Sequence, residues 1–173
     1  MQDEGLEAKL RELLEKTTYS TGEKDVSIED MAVLFQPSLG SLMLEVGQRC
    51  WTLYYAVHAN NWALARSQRD RVQELLERAS LTQPKHTVNL DKFLAEDWTS
   101  VQKAIESMDM DGFDAAFTHA IDQANAYHEE AYRKFIHWVL PDTPPPGLDL
   151  SYGAGPLGGG RGDWAAGGGR PGG

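Results

Sequence analysis

The sequence predicts an all-α protein: an antiparallel up-down-up-down four-helix bundle with an extra N-terminal amphipathic helix. Apolar residues recur at alternating spacings of three and four residues in four segments between about residues 38 and 140. This spacing places apolar side chains on one face of a helix. The segments are joined by short turns, and no alternation typical of strands is present. Neighbouring helices are therefore expected to pack antiparallel around one core.

The N-terminal region predicts an amphipathic helix over about residues 3–16, with four leucines on one face: Leu6, Leu10, Leu13 and Leu14. Residues 17–24 are polar and are interpreted as a linker. Ser27 with Asp30 resembles a capping box, which predicts a short helix through Phe35.

The first two bundle helices are expected from residue 38 to near Ala59 and from Asn61, a favourable N-cap, to the region before Pro84. Their apolar stripes are Leu39, Met43, Val46, Cys50, Leu53 and Val57, and then Trp62, Ala65, Arg69, Val72, Leu76 and Ala79. A buried guanidinium requires an anionic partner, so Arg69 is expected either to pair with Asp97 or Glu45 or to reach solvent at one end of the bundle.

The third helix is expected to begin at Asn89 or Asp91, and the fourth after a turn at residues 109–112, with Asp111 as its cap. Their stripes are Leu94, Trp98, Val101, Ile105 and Met108, and then Phe113, Phe117, Ala120, Ala124, His128, Ala131 and Phe135. Prolines from Pro141 onward end the fourth helix.

The sequence therefore divides into an N-terminal helical extension (residues 1–36), the four-helix bundle (37–142) and a disordered Pro/Gly-rich tail (143–173). Glycine dominates the tail, which has too few apolar residues to form a core of its own.

Composition excludes several classes of function. The formal net charge is −10, whereas nucleic acids and anionic membrane surfaces select for basic proteins. The single cysteine, Cys50, permits no intrachain disulfide and no cysteine zinc site, and no other metal site is predicted. The acidic N-terminus does not resemble a secretory signal, and no apolar run reaches the length of a membrane span, so a cytoplasmic location is expected.

His128 is the most informative candidate site residue because it falls on the apolar stripe of the fourth helix. A buried imidazole needs a hydrogen bond or a ligand. The ring could ligate iron or act as an acid or base, or it could hydrogen bond to Tyr127, Tyr54 or a backbone carbonyl. Since the first and fourth helices are neighbours in such a bundle, residue counting places its counterpart between Met43 and Cys50.

The region from about Leu39 to Leu140 resembles small four-helix-bundle c-type cytochromes. The resemblance lies in the segments Leu42–Arg49, Leu53–Ala56, Asn61–Ala65, Phe113–Phe117 and Ala124-Asn125-Ala126-Tyr127-His128. In that family a Cys-x-x-Cys-His motif attaches haem covalently at the place of the last segment. Ala124 and Tyr127 stand at the two cysteine positions, so this degenerate motif cannot form thioether bonds. The resemblance implies His128 as the proximal ligand and Met43 as the second ligand if haem binds noncovalently.

The first interpretation is a binding protein that holds a protein partner or a small apolar ligand in the former haem slot. That pocket would be lined by Cys50, Tyr54, Trp98, Ala124 and Tyr127. One alternative is a noncovalent, b-type haem protein for electron transfer or sensing. Another is an enzyme in which His128 is the general base and Tyr127 or Tyr54 is the proton donor. No cofactor is expected under the first interpretation, and a homodimer is a further alternative.

Overall fold

A computed structural model describes residues 3–20, 22, 25–28, 31 and 35–155 of the protein. The described chain is mostly helical, in agreement with the predicted all-α class. It divides after Ser38 into two compact units. None of the helices in the described ranges is long and apolar enough to cross a membrane.

The first unit begins with α1, Asp3–Lys16, which confirms the predicted N-terminal helix. Three leucines of its apolar face, Leu10, Leu13 and Leu14, are about half exposed. Two short strands follow where a linker was predicted, β1 (Thr18–Ser20) and β2 (Asp25–Ser27), and they pair antiparallel. Gly22 lies between the two strands and has a φ of +86°, which glycine adopts more readily than other residues.

The capping-box helix predicted to begin at Ser27 falls mainly outside the described residues. Ser27 itself belongs to β2, where it pairs with Thr18.

The second unit begins with two long helices, α2 (Leu39–His58) and α3 (Trp62–Thr82), joined by residues 59–61. Asn61 caps α3 as predicted, because its side-chain oxygen accepts a hydrogen bond of 3.0 Å from the Leu64 N–H. The preceding Asn60 adopts a left-handed conformation with φ +57°, which asparagine tolerates better than most residues.

The third helical stretch is continuous but changes its winding. It consists of α4 (Thr87–Lys92), a π-helical turn (Phe93–Trp98) and α5 (Thr99–Ser107). The helix starts before the predicted Asn89 or Asp91, and the π-helical turn is not encoded in the apolar spacing. Such turns are short and shift the register of the residues that follow.

The last helix, α6, spans Met110–Glu130. Asp109, rather than the predicted Asp111, is its cap, since the Asp109 carboxylate accepts a hydrogen bond of 3.0 Å from the Gly112 N–H. The predicted continuation of this helix toward Leu140 is wrong.

A Schellman motif ends α6. The Arg133 N–H donates to the His128 carbonyl at 2.7 Å, the Tyr132 N–H donates to the Glu129 carbonyl at 3.0 Å, and Tyr132 is left-handed with φ +57°. Phe135, predicted to lie on the apolar stripe, is 80% exposed as a result. Residues 133–155 then continue without a further helix.

The main core of the second unit lies among the helices, and its largest fully buried side chains are Leu53, Val57, Val72, Trp98, Val101, Ile105 and Phe113. α2 packs mainly on α3, while α5 and the π-helical turn pack on α6. The backbones of α2 and α6 approach each other at few places, and the two helices are joined mainly by side chains, such as Tyr54 on Phe113 and Phe117. The segment that follows α6 contacts both of these helices.

Candidate functional site

The space between α2 and α6 is bridged by Trp138, which lies beyond the end of α6. Its indole Nε1 is 3.2 Å from the position that a Cβ atom would occupy on Gly47 of α2. Its ring also meets Phe117 of α6 edge to face, with 6.4 Å between centroids. The missing side chain at Gly47 allows the indole to approach the α2 backbone. We call this place, defined by Gly47, Phe117, Asn125 and Trp138, the α2–α6 groove.

Asn125 holds the backbone of Trp138 in the groove. The Asn125 Nδ2 donates to the Trp138 carbonyl at 2.9 Å, and the Trp138 N–H donates to the Asn125 Oδ1 at 2.8 Å. Asn125 is buried, and these two bonds satisfy its amide. An amide that pairs with both polar groups of one residue recognises an extended chain much as a neighbouring strand does.

Two aromatic side chains of α2 hold the residues that follow. The Trp51 Nε1 donates to the Thr143 carbonyl at 2.7 Å, and the Tyr55 hydroxyl donates to the Pro141 carbonyl at 2.8 Å. Because Gly47, Trp51 and Tyr55 are spaced by four residues, they form one stripe along α2.

Asn61 secures the far end of this segment. Its Nδ2 donates to the carbonyls of Leu150 and Tyr152, at 2.9 and 3.0 Å, while its Oδ1 caps α3. The Gly155 N–H donates to the Asn60 carbonyl at 2.8 Å. We call residues 138–155 the C-terminal strap.

Part of the predicted disordered tail therefore has a defined path. Residues 143–155 bond to side chains and backbone of α2 and the following turn, and Pro145 is buried. The segment needs no core of its own, because the helices supply both the donors and the apolar surface. Residues 156–173, the rest of the predicted tail, lie outside the described part of the chain.

His128 lies in the last turn of α6 and is only partly buried. Its Nδ1 is buried and has no hydrogen-bond partner among the described residues. Burial lowers the pKa of His128. A hydrogen bond with the Ile136 backbone raises this pKa, whereas the positive charges of His137 and Arg133 lower it further. The residues that act on the ring therefore come from the segment after α6.

The two tyrosines predicted as partners of His128 make other contacts. The Tyr127 hydroxyl lies 3.5 Å from the Asp97 carboxylate, and the Tyr54 ring packs on His58 with centroids 4.3 Å apart. Burial, followed by the nearby Asp97 charge, raises the pKa of Tyr127. Burial also raises the pKa of Tyr54.

The counterparts predicted for His128 on α2 are packed in the interior. Met43 packs against the main core and against a smaller buried cluster of Leu42, Leu75 and Ala79. Cys50 is buried, and burial raises the pKa of its thiol to about 12. A thiol with that pKa is a poor nucleophile at neutral pH.

Trp138 contacts residues that lie close in sequence to both residues predicted to ligate haem, Met43 and His128. Gly47 lies one turn after Met43, and Asn125 lies one turn before His128. Trp138 contacts the helices at both of these positions.

Of the residues predicted to line one pocket, Cys50 and Trp98 belong to the main core, and Tyr54 packs against it. Tyr54 packs on Phe117, which in turn meets Trp138 in the groove. Trp98 and Tyr127 instead pack around Phe93, with centroid distances of 6.3 and 6.4 Å. Trp98 is fully buried, and its Nε1 has no partner in the described chain. The last member, Ala124, is partly buried.

An open cavity of about 320 Å³ lies beside the π-helical turn, and none of the predicted site residues lines it. Its lining consists of Gln73, Asp91, Leu94, Ala95, Thr99 and Gln102. Asp91 already accepts a hydrogen bond of 2.6 Å from the Ser80 hydroxyl. The cavity is therefore a surface recess with a mixed polar and apolar lining, and its carboxylate has an internal partner.

Asp97 is a further polar centre that sequence analysis missed as a site. This buried carboxylate lies 3.3 Å from His119 Nε2 and 3.5 Å from the Tyr127 hydroxyl. The predicted ion pair between Asp97 and Arg69 is not formed. Arg69 instead pairs with Asp70 at 2.7 Å and Glu106 at 3.1 Å.

Within the described residues, no cluster of histidine, cysteine, aspartate and glutamate side chains is suited to hold a metal ion. Comparison with protein-family models, with curated proteins and with solved structures found no match for the chain.

Proposed function

We propose that the protein is a helical binding domain whose α2–α6 groove binds an extended segment of polypeptide. The supporting observation is the pairing of Asn125 with both backbone groups of Trp138 while the indole lies on Gly47. These contacts hold one residue of the strap by its backbone, through the Asn125 amide, and by its side chain, which lies on Gly47 and Phe117. In the isolated protein, the C-terminal strap fills the groove.

We infer further that the second unit is an antiparallel four-helix bundle formed by α2, α3, the α4–α5 stretch and α6. Short connections between consecutive helices favour antiparallel neighbours. The limited approach of the α2 and α6 backbones is consistent with a bundle that is open along one edge, where the strap lies. The proposed relationship to bundle cytochromes would make this edge the equivalent of the haem slot.

The alternatives from the sequence have less support. A small apolar ligand or haem would have to displace Trp138 from between Gly47 and Asn125. An enzyme based on His128 would need Tyr127 or Tyr54 as proton donor. The Tyr127 hydroxyl lies toward Asp97, and the Tyr54 ring packs on His58. A hemin titration tests the haem alternative directly. A sharp Soret band that is lost in His128→Ala would favour haem over peptide.

The proposal is tested by offering the full-length protein a competing peptide. The probe is a fluorescein-labelled peptide with the sequence of residues 136–147, and binding is measured by fluorescence anisotropy. Trp138→Ala weakens the protein's own strap, so this variant should bind the probe at least about tenfold more tightly than wild type. Val139→Ala changes a mostly exposed strap residue and should behave as wild type.

Circular dichroism establishes whether Trp138→Ala is folded, and Trp138→Leu replaces it if it is not. A folded Trp138 variant that fails to bind the probe would overturn the proposal. Equal binding by Trp138→Ala and Val139→Ala would also contradict it, since the indole would then not control access to the groove.

A further inference from the structure

A second surface of the protein lies directly after α6 and outside the α2–α6 groove. Six consecutive residues, from Tyr132 to His137, are exposed, and apolar or aromatic side chains share this stretch with arginine, lysine and histidine. We call residues 132–137 the basic turn. We infer that the basic turn is a docking site for a short acidic segment of another protein, in which apolar side chains lie between the carboxylates.

Hydrogen bonds fix the basic turn at both ends and in the middle. The Schellman motif holds its start, where the Arg133 N–H donates to the His128 carbonyl at 2.7 Å. The Ile136 N–H donates to the Arg133 carbonyl at 2.8 Å and closes a reverse turn. Asn125 holds Trp138, which comes directly after the basic turn. Because this surface is already ordered, binding costs little conformational entropy and requires no movement of the C-terminal strap.

Tyr132 occupies a position that is unfavourable for a tyrosine. It is the residue of the Schellman motif with φ +57°, a place usually taken by glycine. Packing does not compensate for this conformation, because 93% of the residue is exposed. Residues held in unfavourable backbone conformations occur mainly at functional sites. Contact with a partner therefore accounts for this tyrosine better than folding does.

Phe135 adds a second exposed aromatic ring to the basic turn. It is 80% exposed, and the neighbouring Ile136 is also exposed. Tyrosine, phenylalanine and arginine are enriched in protein–protein interfaces, where a few such side chains provide most of the binding free energy. The apolar part of the basic turn thus fits apolar side chains of a partner protein.

The charge of the basic turn is opposite in sign to that of the protein. The chain has 26 acidic and 16 basic residues, yet no acidic residue occurs between Glu130 and Asp142. Arg69 of α3 pairs with two carboxylates. Arg133 and Lys134 form no ion pair within the described part of the chain. Carboxylates of a partner would complement these two cations.

The positive region is small, which favours a short acidic segment over an extended polyanion. Glu129 and Glu130 precede it, Asp142 follows it, and the net charge of the chain is −10. Since charges are screened beyond about 8 Å at physiological ionic strength, a short peptide on the basic turn would interact mainly with Arg133 and Lys134. An anionic membrane or a nucleic acid would also face the acidic remainder of the protein.

The test selects a displayed library of random short peptides on the full-length protein. The selected peptides should carry a net negative charge and apolar side chains, and their affinity is measured with a fluorescein label by fluorescence anisotropy. Phe135→Ser and Lys134→Glu should each weaken binding at least about tenfold. Leu81→Ser and Lys103→Glu make the same kinds of change at exposed positions of α3 and α5 and should bind as wild type does.

Tyr132→Gly separates a role in binding from a role in folding. Glycine tolerates a positive φ, so this variant should unfold at a higher urea concentration than wild type. It should nevertheless bind the selected peptides at least about fivefold more weakly, because the exposed ring is lost. Wild-type affinity in both Tyr132→Gly and Phe135→Ser would overturn the proposal, as would selected peptides that are neutral or basic.

Vesicles of phosphatidylcholine with phosphatidylserine, and a single-stranded DNA, are tested with the same variants. Binding of either that is lost in Phe135→Ser would overturn the assignment to a protein segment. No binding of either, together with peptides that depend on the basic turn, would support it. The proposed function of the groove is tested separately at Trp138, so that each inference can fail without the other.

Discussion

Asn125 binds Trp138 through both backbone polar groups, so that a buried amide on the last helix fixes a residue thirteen positions further along the chain. The side chain of Trp138 then reaches Gly47 on another helix. One pair of residues thus connects α6, the strap and α2. This connection is the basis of the proposed binding function and of the first two predictions.

Loss of the Asn125 amide should destabilise the protein. Asn125→Ala removes two hydrogen bonds and leaves the Trp138 N–H and carbonyl unpaired, which should lower the free energy of unfolding by about 2–3 kcal/mol. Urea denaturation followed by circular dichroism measures the change. Thr118→Ala, at an exposed position of α6, is the control and should stay within about 0.5 kcal/mol of wild type. A similar effect of both variants would mean that the amide pairing contributes little.

The close approach of Trp138 to Gly47 predicts that Gly47→Ala changes the free energy of unfolding in opposite directions in wild type and in Trp138→Ala. In a free helix this change stabilises by about 0.5–1 kcal/mol. A Cβ atom would lie only 3.2 Å from the indole nitrogen, whose backbone is held by Asn125, so in wild type we expect destabilisation of about 1 kcal/mol.

The double-mutant cycle provides the control. With Trp138→Ala as background, Gly47→Ala should become stabilising, and the coupling free energy should exceed about 1 kcal/mol. Additive effects of the two substitutions would contradict the packing of the indole on Gly47.

The lowered pKa of His128 predicts a dependence of stability on pH. The unfolded chain protonates this histidine near pH 6.5, whereas the folded protein does so only at lower pH. The unfolded state therefore binds more protons in this window, and folding stability falls as the pH decreases from about 7.5 through 6.5. Arg133 and His137, the charged groups that act on the ring, contribute in the same direction.

Urea denaturation of wild type and His128→Gln at pH 7.5 and 5.5 measures this contribution. The loss of stability at the lower pH should be smaller in His128→Gln than in wild type. His86→Gln, in the turn before α4, should retain the full wild-type loss. An identical pH dependence in wild type and His128→Gln would show that His128 is not the source of the loss of stability at low pH.

Cys50 should be unreactive in the folded protein. With a pKa raised to about 12 from the ordinary value of 9.0, its thiolate fraction at pH 8 is about a thousandfold lower than that of an exposed thiol. Ellman's reagent should modify Cys50 only slowly under native conditions and rapidly in 8 M urea (about the highest concentration in routine use). Prompt native reaction would show that the interior around this residue is open.

The helices were accessible to sequence analysis wherever apolar spacing and a local cap agreed. The start of α3 is a case of this kind, because Asn61 caps α3 through its own side chain. For α1 the leucine spacing alone was sufficient. The π-helical turn could not be predicted from the sequence, because apolar spacing reflects only the average number of residues per helical turn. The left-handed Tyr132 was also missed, because an apolar stripe through Phe135 favours a longer helix.

The candidate site was predictable only in part. The sequence predicted a site at the interface of the first and last bundle helices, and the α2–α6 groove lies between these helices. Among the residues expected to line one pocket, Tyr54 packs on Phe117 and Trp98 packs on Phe93. Trp138 and Asn125 were missed as a pair, since an asparagine amide bound to a backbone thirteen residues away has no local signature.

The sequence by itself determined the helical class, the N-terminal helix and the interior positions of the main helices, because these depend on contacts repeated every three or four residues. Only the tertiary structure decided that a proline-rich segment lies along α2 and that Trp138 enters the α2–α6 groove. Those contacts join residues about 90 positions apart, such as Trp51 and Thr143. Hydrogen bonds of this kind depend on where donors and carbonyls meet in space, which periodicity along the chain does not encode.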